Sequence, residues 1–118
     1  MIDFFNIEDN DASKVIWSHA VNSKYKLSKA LVDESMVLEA DIIFIEDKHN
    51  EPIMAHPPDT QSDISFSEWL KESLKDSNKA IKLDFKTASS VEPCLKILNS
   101  MQDKVIFKVN LIFKKLKV

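Results

Sequence analysis

Four short strings carry side chains whose types and spacing could do chemistry: "WSHA" with His19, "LEAD" with Glu39 and Asp41, "MAHP" with His56, and "KLDFK" with Lys82, Asp84 and Lys86. In an extended chain successive side chains point to opposite faces. The Glu-x-Asp spacing therefore places both carboxylates on one side of a strand, and Lys-x-Asp-x-Lys does the same for its charges. Two carboxylates on one face of an otherwise apolar strand repel each other and lose hydration, so they need a cation nearby. The two histidines add groups that exchange protons near neutral pH. The same alternation also arises in an antiparallel strand with one wet face, and edge strands often carry charges. Patterning by itself leaves both arrangements open.

The elements that must carry these residues alternate. "KVIWSHA" (14–20) reads as a short strand. The helix "KYKLSKALVDE" follows, capped by Ser23, with Leu27, Ala30 and Leu31 on one face. "MVLEADIIFIE" is the next strand, and "PIMAHP" is a short extended piece running into Pro57 and Pro58, which interrupt regular pairing. Ser65 and Glu68 have capping-box spacing ahead of a helix whose stripe is Phe66, Trp69, Leu70 and Leu74. "KAIKLDFK" (79–86) is a third strand. "SSVEPCLKILNSMQ" is a third helix, expected to bury Val91, Leu95 and Leu98, with Cys94 in the core. "KVIFKVNLIF" is a fourth strand.

Strands separated by helices indicate βαβ units and a parallel sheet. In "MVLEADIIF", Met36, Leu38, Ala40, Ile42 and Phe44 share an apolar face opposite Val37, Glu39, Asp41 and Ile43. In "AIKLDFK", Ile81, Leu83 and Phe85 oppose Lys82, Asp84 and Lys86, and Lys82 is placed to pair with Asp84. A parallel sheet covered on both sides would be apolar on both. A barrel instead gathers polar side chains at the C-terminal rim of its strands. The expected fold class is therefore α/β, a partial (β/α)8 TIM barrel of about the first four βα units, since a whole one needs about 250 residues. Residues 1–13 read as an acidic N-terminal extension, 14–113 as the partial barrel domain and 114–118 as a basic tail.

Length and composition narrow the function. The 118 residues allow one domain, and 44% hydrophobic residues suffice for a core. A net charge of -3 gives no case for a nucleic-acid partner, which would usually show a clustered basic excess. There is no apolar run long enough for a transmembrane segment, and the acidic start lacks the features of a signal peptide. Cys94 is the single cysteine, so no internal disulfide forms and the compartment is not readable from cysteine usage. His49 falls in a charged turn and reads as exposed. Glycine and arginine are both absent. Any phosphate recognition must then use lysine point charges or backbone N–H groups instead of guanidinium forks.

"WSHAVNS", "MVLEADI", "PIMAHPPDTQSD", "EWL" and "IKLDFK", in this order, resemble the N-terminal half of the menorin family, the dendritic-branching protein and its relatives. That family is in turn similar to phospholipase-C-like phosphodiesterases, the sphingomyelinase D and glycerophosphodiester phosphodiesterase branches among them. The resemblance implies that His19 and His56 are a catalytic pair, that Glu39, Asp41 and Asp84 bind Mg²⁺, and that Lys86 lies near metal and phosphate. It implies a Mg²⁺-dependent phosphodiesterase or phospholipase-D-like activity on a phosphodiester or lipid head-group ligand, with a truncated chain inactive alone. It equally implies the alternative of a non-catalytic extracellular protein that binds cell-surface adhesion and receptor proteins; a cytoplasmic location is the other possibility. Asn22 has no expected role beyond shaping its loop. Pro57 and Pro58 depart from the phosphodiesterase pattern, where a glycine-containing loop follows the second histidine.

Overall fold

The computed structural model describes residues 15–75 and 79–101. The acidic extension at 1–13, the strand expected at 104–113 and the basic tail at 114–118 lie outside the described residues.

The chain begins with β1 (Trp17–Ser18), α1 (Lys24–Val32) and β2 (Val37–Ile43). It continues through β3 (Ile53–Met54), α2 (Phe66–Lys75) and β4 (Ala80–Phe85) to a 3-10 turn at Ala88–Ser90 and α3 (Val91–Ser100). Among the described residues this makes a mixed α/β domain with a four-stranded sheet and three helices. β2 is the centre of the sheet. One of its edges pairs along its length with β4, in parallel, from Val37↔Ala80 to Ile42↔Phe85. Its other edge pairs in parallel with β1 at Trp17↔Val37 and antiparallel with β3 at Ile42↔Met54. The extended piece before Pro57 is thus a short antiparallel addition to a sheet whose other strands are parallel.

The alternation read from the sequence sorts the two faces. Leu38, Ala40 and Ile42 of β2 and Ile81, Leu83 and Phe85 of β4 pack in one core with Leu27 and Ala30 of α1, Phe66, Trp69, Leu70 and Leu74 of α2, and Cys94 and Leu98 of α3. All three described helices therefore cover the same side of the sheet. The other side holds a small cluster of Val15, Val37 and Ala80, flanked by Trp17 and Met36. Met36 was expected on the helix side; it precedes β2 and turns to the opposite cluster. Leu95 was expected in the core but is 45% exposed. α3 is rolled toward Val91, Cys94, Leu98 and Met101, which recur at helical spacing, and Leu95 falls just off that stripe. Cys94 lies in the core as expected, and burial pushes its thiol pKa up, so it is no nucleophile.

Local capping sets where the helices start. Ser23 accepts the Lys26 N–H at 3.1 Å and Asp63 accepts the Lys24 N–H at 3.0 Å, both at the head of α1. Ser65 accepts the Glu68 N–H at 3.2 Å, half of the capping box; the Glu68 carboxylate instead faces Lys24 at 3.6 Å. After α1, Asp33 accepts hydrogen bonds from the Ser35 N–H and hydroxyl and from Lys79, whose ammonium also donates to the Ala30 and Asp33 carbonyls. This knot ties the end of α1 to the start of β4. The Ser35 hydrogen bonds, helped by Lys79, hold the Asp33 carboxyl below its ordinary value. A lowered folded-state pKa contributes stability above the unfolded value of about 3.9 and loses it as pH falls through the lowered one. Asp33→Asn is expected to melt below the parent protein at pH 7. In melts at successively lower pH the two curves should converge through and below the carboxylate range. A gap that persists in acid would trace the loss to something other than the charge.

Candidate functional site

The parallel register of β2 and β4 builds the site in rows. Val37 and Ala80 form an apolar row with Trp17. Glu39 sits opposite Lys82, and Asp41 opposite Asp84, one step further along each strand. Because side chains alternate, Glu39, Asp41 and Asp84 rise from the same face. Their exposures are 6%, 3% and 4%, and each offers a carboxylate oxygen such that these atoms lie within 4.8 Å of one another.

Three buried carboxylates in this space need hydrogen bonds and positive charge. The loop after β1 supplies much of the first need. The Ala20 N–H donates to Glu39 Oε1 at 2.7 Å, and Val21 N–H donates to the Glu39 carbonyl at 2.8 Å. To reach Glu39, Ala20 adopts φ 53°, the left-handed region. A non-glycine residue there carries roughly 1–2 kcal/mol of strain. Asn22 then contacts Asp41 twice: its Nδ2–H donates to Oδ2 and its Oδ1 accepts the Asp41 N–H, both at 2.9 Å. Lys86, one residue past β4, places its ammonium 3.1 Å from Asp84 and 3.8 Å from Asp41. Among the described residues, the ammonium of Lys86 faces a cluster of three carboxylates, an oxygen-rich, negatively charged setting of the kind in which hard ligands take a divalent cation.

The two histidines come from different elements. His19 is exposed, directly after β1, with its ring stacked on Trp17 at 5.8 Å between centroids. The opposite neighbour of Trp17 is Lys82, whose ammonium lies 5.3 Å from the indole centroid. Lys82 was expected beside Asp84; Lys86 has that place instead. His56 follows β3 by one residue, and Ala55 between them donates its N–H to the Asp41 carbonyl at 3.0 Å. The His56 Nδ1 lies 2.6 Å from the Pro57 carbonyl. A carbonyl only accepts, so Nδ1 carries the proton and Nε2 is the atom left to exchange one. His56 also lines a cavity of about 450 Å³ with Ala20, Asn22, Lys26, Gln61 and Asp59 among its walls. His49 is not the free surface residue expected: it is half-buried, accepts the Ile45 N–H at 3.0 Å and donates to the Thr60 carbonyl at 2.7 Å. It braces the turn between β2 and β3.

Each of the six residues that the resemblance implies for the site thus has a definite place. The three carboxylates and Lys86 are in one cluster, and His56 follows Ala55, whose N–H bonds the Asp41 carbonyl. His19 stands at the end of β1, one residue before the loop that binds Glu39. Sequence reasoning missed Asn22 and Ala20. A polar residue three positions after His19 was the available signal for Asn22; nothing in an alanine announces a left-handed backbone.

Residues 11–114 match the model of the Menorin N-terminal domain. Over 98 residues the chain is 43% identical to Protein FAM151B of Homo sapiens, an alignment taking in 81% of this chain and 35% of that protein. The chain therefore spans about a third of the length of this curated relative. No solved structure matches.

Proposed function

Because the chain belongs to the menorin family, we propose that it supplies the first part of a (β/α)8 barrel of the phospholipase-C-like type, with a Mg²⁺-dependent phosphodiester-cleaving site. The observation that carries this reading is the convergence of Glu39, Asp41 and Asp84, buried, with ligand oxygens within 4.8 Å of one another, on the side of the sheet opposite the described helices. What supports the barrel over a doubly wound sheet is that the described helices cover one face alone. The donor set fits Mg²⁺, which favours hard oxygens and keeps room for waters or a phosphate oxygen.

Bound there, Mg²⁺ supplies Lewis-acid stabilisation of charge on a phosphate. The chain's own groups do the rest. Lys86 adds a positive charge beside the same carboxylates, the charge that a phosphate would meet. Its point charge serves where the sequence has no guanidinium. His56 exchanges a proton at Nε2 while Nδ1 stays on the Pro57 carbonyl. His19, braced by Trp17, is the second proton carrier. One histidine takes a proton from the attacking group and the other gives one to the leaving group. In a full-length family member, alanine at the position of His19 is expected to lower Mg²⁺-dependent turnover of choline or glycerol phosphodiesters by roughly 10²–10⁴-fold, followed by phosphorus NMR. Absence of product from every diester with folded, Mg²⁺-loaded protein would end the catalytic reading.

A specific observation favours a second reading, a non-catalytic extracellular protein in complexes with cell-surface adhesion and receptor proteins. Pro57 and Pro58 have no N–H, and the Asp59 N–H is taken by the His56 carbonyl at 3.0 Å. The turn beside His56 thus offers a phosphate no backbone donor from these three residues. In that case the cluster serves as a structural cation site, and mutating His19 leaves partner binding intact.

A further inference from the structure

Asn22 does more than shape its loop. Its amide closes a ring with Asp41, donating to Oδ2 and accepting the backbone N–H of the same residue. The Asp41 N–H only donates and the carboxylate only accepts, so the amide has one orientation. Asn22 is held from behind as well: its N–H donates to the Ala20 carbonyl at 2.8 Å, and its carbonyl accepts the Ser62 hydroxyl at 3.2 Å. One Asp41 oxygen is thereby tied to Asn22, and the other lies on the Lys86 side. The carboxylate is fixed before any cation arrives.

We infer that Asn22 is a positioning residue: by orienting Asp41 it makes the Glu39–Asp41–Asp84 cluster select a small octahedral cation over a larger one. The inference rests on reading that cluster as a cation site. Its physical basis is a difference between ions. Mg²⁺ demands near-ideal octahedral geometry at about 2.0–2.1 Å, whereas Ca²⁺ accepts irregular oxygen shells at about 2.3–2.6 Å. Loosening one ligand therefore harms Mg²⁺ more than Ca²⁺. Hydrogen-bond partners of metal ligands typically govern about 10–100-fold in metal affinity.

The test is calorimetric titration of the 118-residue chain with Mg²⁺ and separately with Ca²⁺, for the parent, Asn22→Ala and Asn22→Asp. Asn22→Ala removes both contacts. Asn22→Asp retains the acceptor for the Asp41 N–H, and with it the tie of the loop, but replaces the donor by a repelling oxygen. The ratio of Mg²⁺ to Ca²⁺ affinity is expected to fall by about tenfold in Asn22→Ala and to fall in Asn22→Asp as well. A purely structural role would weaken both ions alike, and an unchanged ratio in folded variants overturns the inference. Should Asn22→Ala not fold, the ratio in Asn22→Asp decides. A parent chain that binds neither ion overturns the cation-site reading and this inference together; a parent that binds with an unaltered variant ratio overturns the inference alone.

Discussion

Asp41→Asn is expected to abolish measurable Mg²⁺ binding while leaving the metal-free protein at least as stable as the parent. Asp41 is 3% exposed at the centre of the sheet, facing Asp84 across the β2–β4 ladder. The substitution keeps the shape and removes one negative charge from three. At about 4 Å and an effective dielectric near 20, a unit charge pair is worth about 4 kcal/mol. At about 1.4 kcal/mol per decade, that is on the order of a thousandfold in affinity. In the absence of metal the sign reverses. The remaining Lys86–Asp84 contact at 3.1 Å is untouched, and like-charge repulsion between neighbouring carboxylates is relieved. The parent should gain melting temperature with added Mg²⁺, because a ligand that binds only the folded state stabilises it, and the variant should gain none. Equal Mg²⁺-induced shifts in the two proteins would remove Asp41 from the ligand set.

Much of this arrangement was legible in the residues themselves, for a definite reason. Period-two alternation in "MVLEADIIF" and "AIKLDFK" sorts each strand into an apolar and an ionisable face. Once β2 and β4 pair in parallel, the ionisable faces have to coincide. The stripe Phe66, Trp69, Leu70 and Leu74 is buried throughout. Contacts that depend on how a loop folds back were not legible. Asn22 reaches Asp41 only because Ala20 takes a left-handed turn, and that conformation is imposed by the hydrogen bond to Glu39. Side-chain partners at longer reach were ambiguous for a similar reason. Lys82 and Lys86 share a face with Asp84, and the choice between them was made by Trp17, whose ring draws Lys82 away. Leu95 shows the limit of helical periodicity: positions i+3 and i+4 both flank a stripe, and only packing against the sheet selects Cys94.

Trp69 is the residue through which the core reaches the site, and its replacement is expected to have the largest effect on stability. Its side chain is fully buried in the helix-side core, and its indole N–H donates to the Val21 carbonyl at 2.8 Å. Val21 lies between Ala20, which binds Glu39, and Asn22, which binds Asp41. α2 thus anchors the loop that orients two of the three carboxylates. Trp69→Ala removes the largest buried ring at a cost of about 3–5 kcal/mol, a large part of the roughly 5–15 kcal/mol that holds an ordinary domain together. The chain is expected to be substantially unfolded at 37 °C by circular dichroism. Trp69→Phe separates packing from hydrogen bonding. It retains much of the ring but leaves the buried Val21 carbonyl without its donor, costing about 1–3 kcal/mol. Since the freed segment carries Ala20 and Asn22, this variant should fold and yet bind Mg²⁺ more weakly, although Trp69 touches no carboxylate. If Trp69→Phe lowers the melting temperature and leaves Mg²⁺ affinity unchanged, the anchor supports the core alone and the loop holds its own shape.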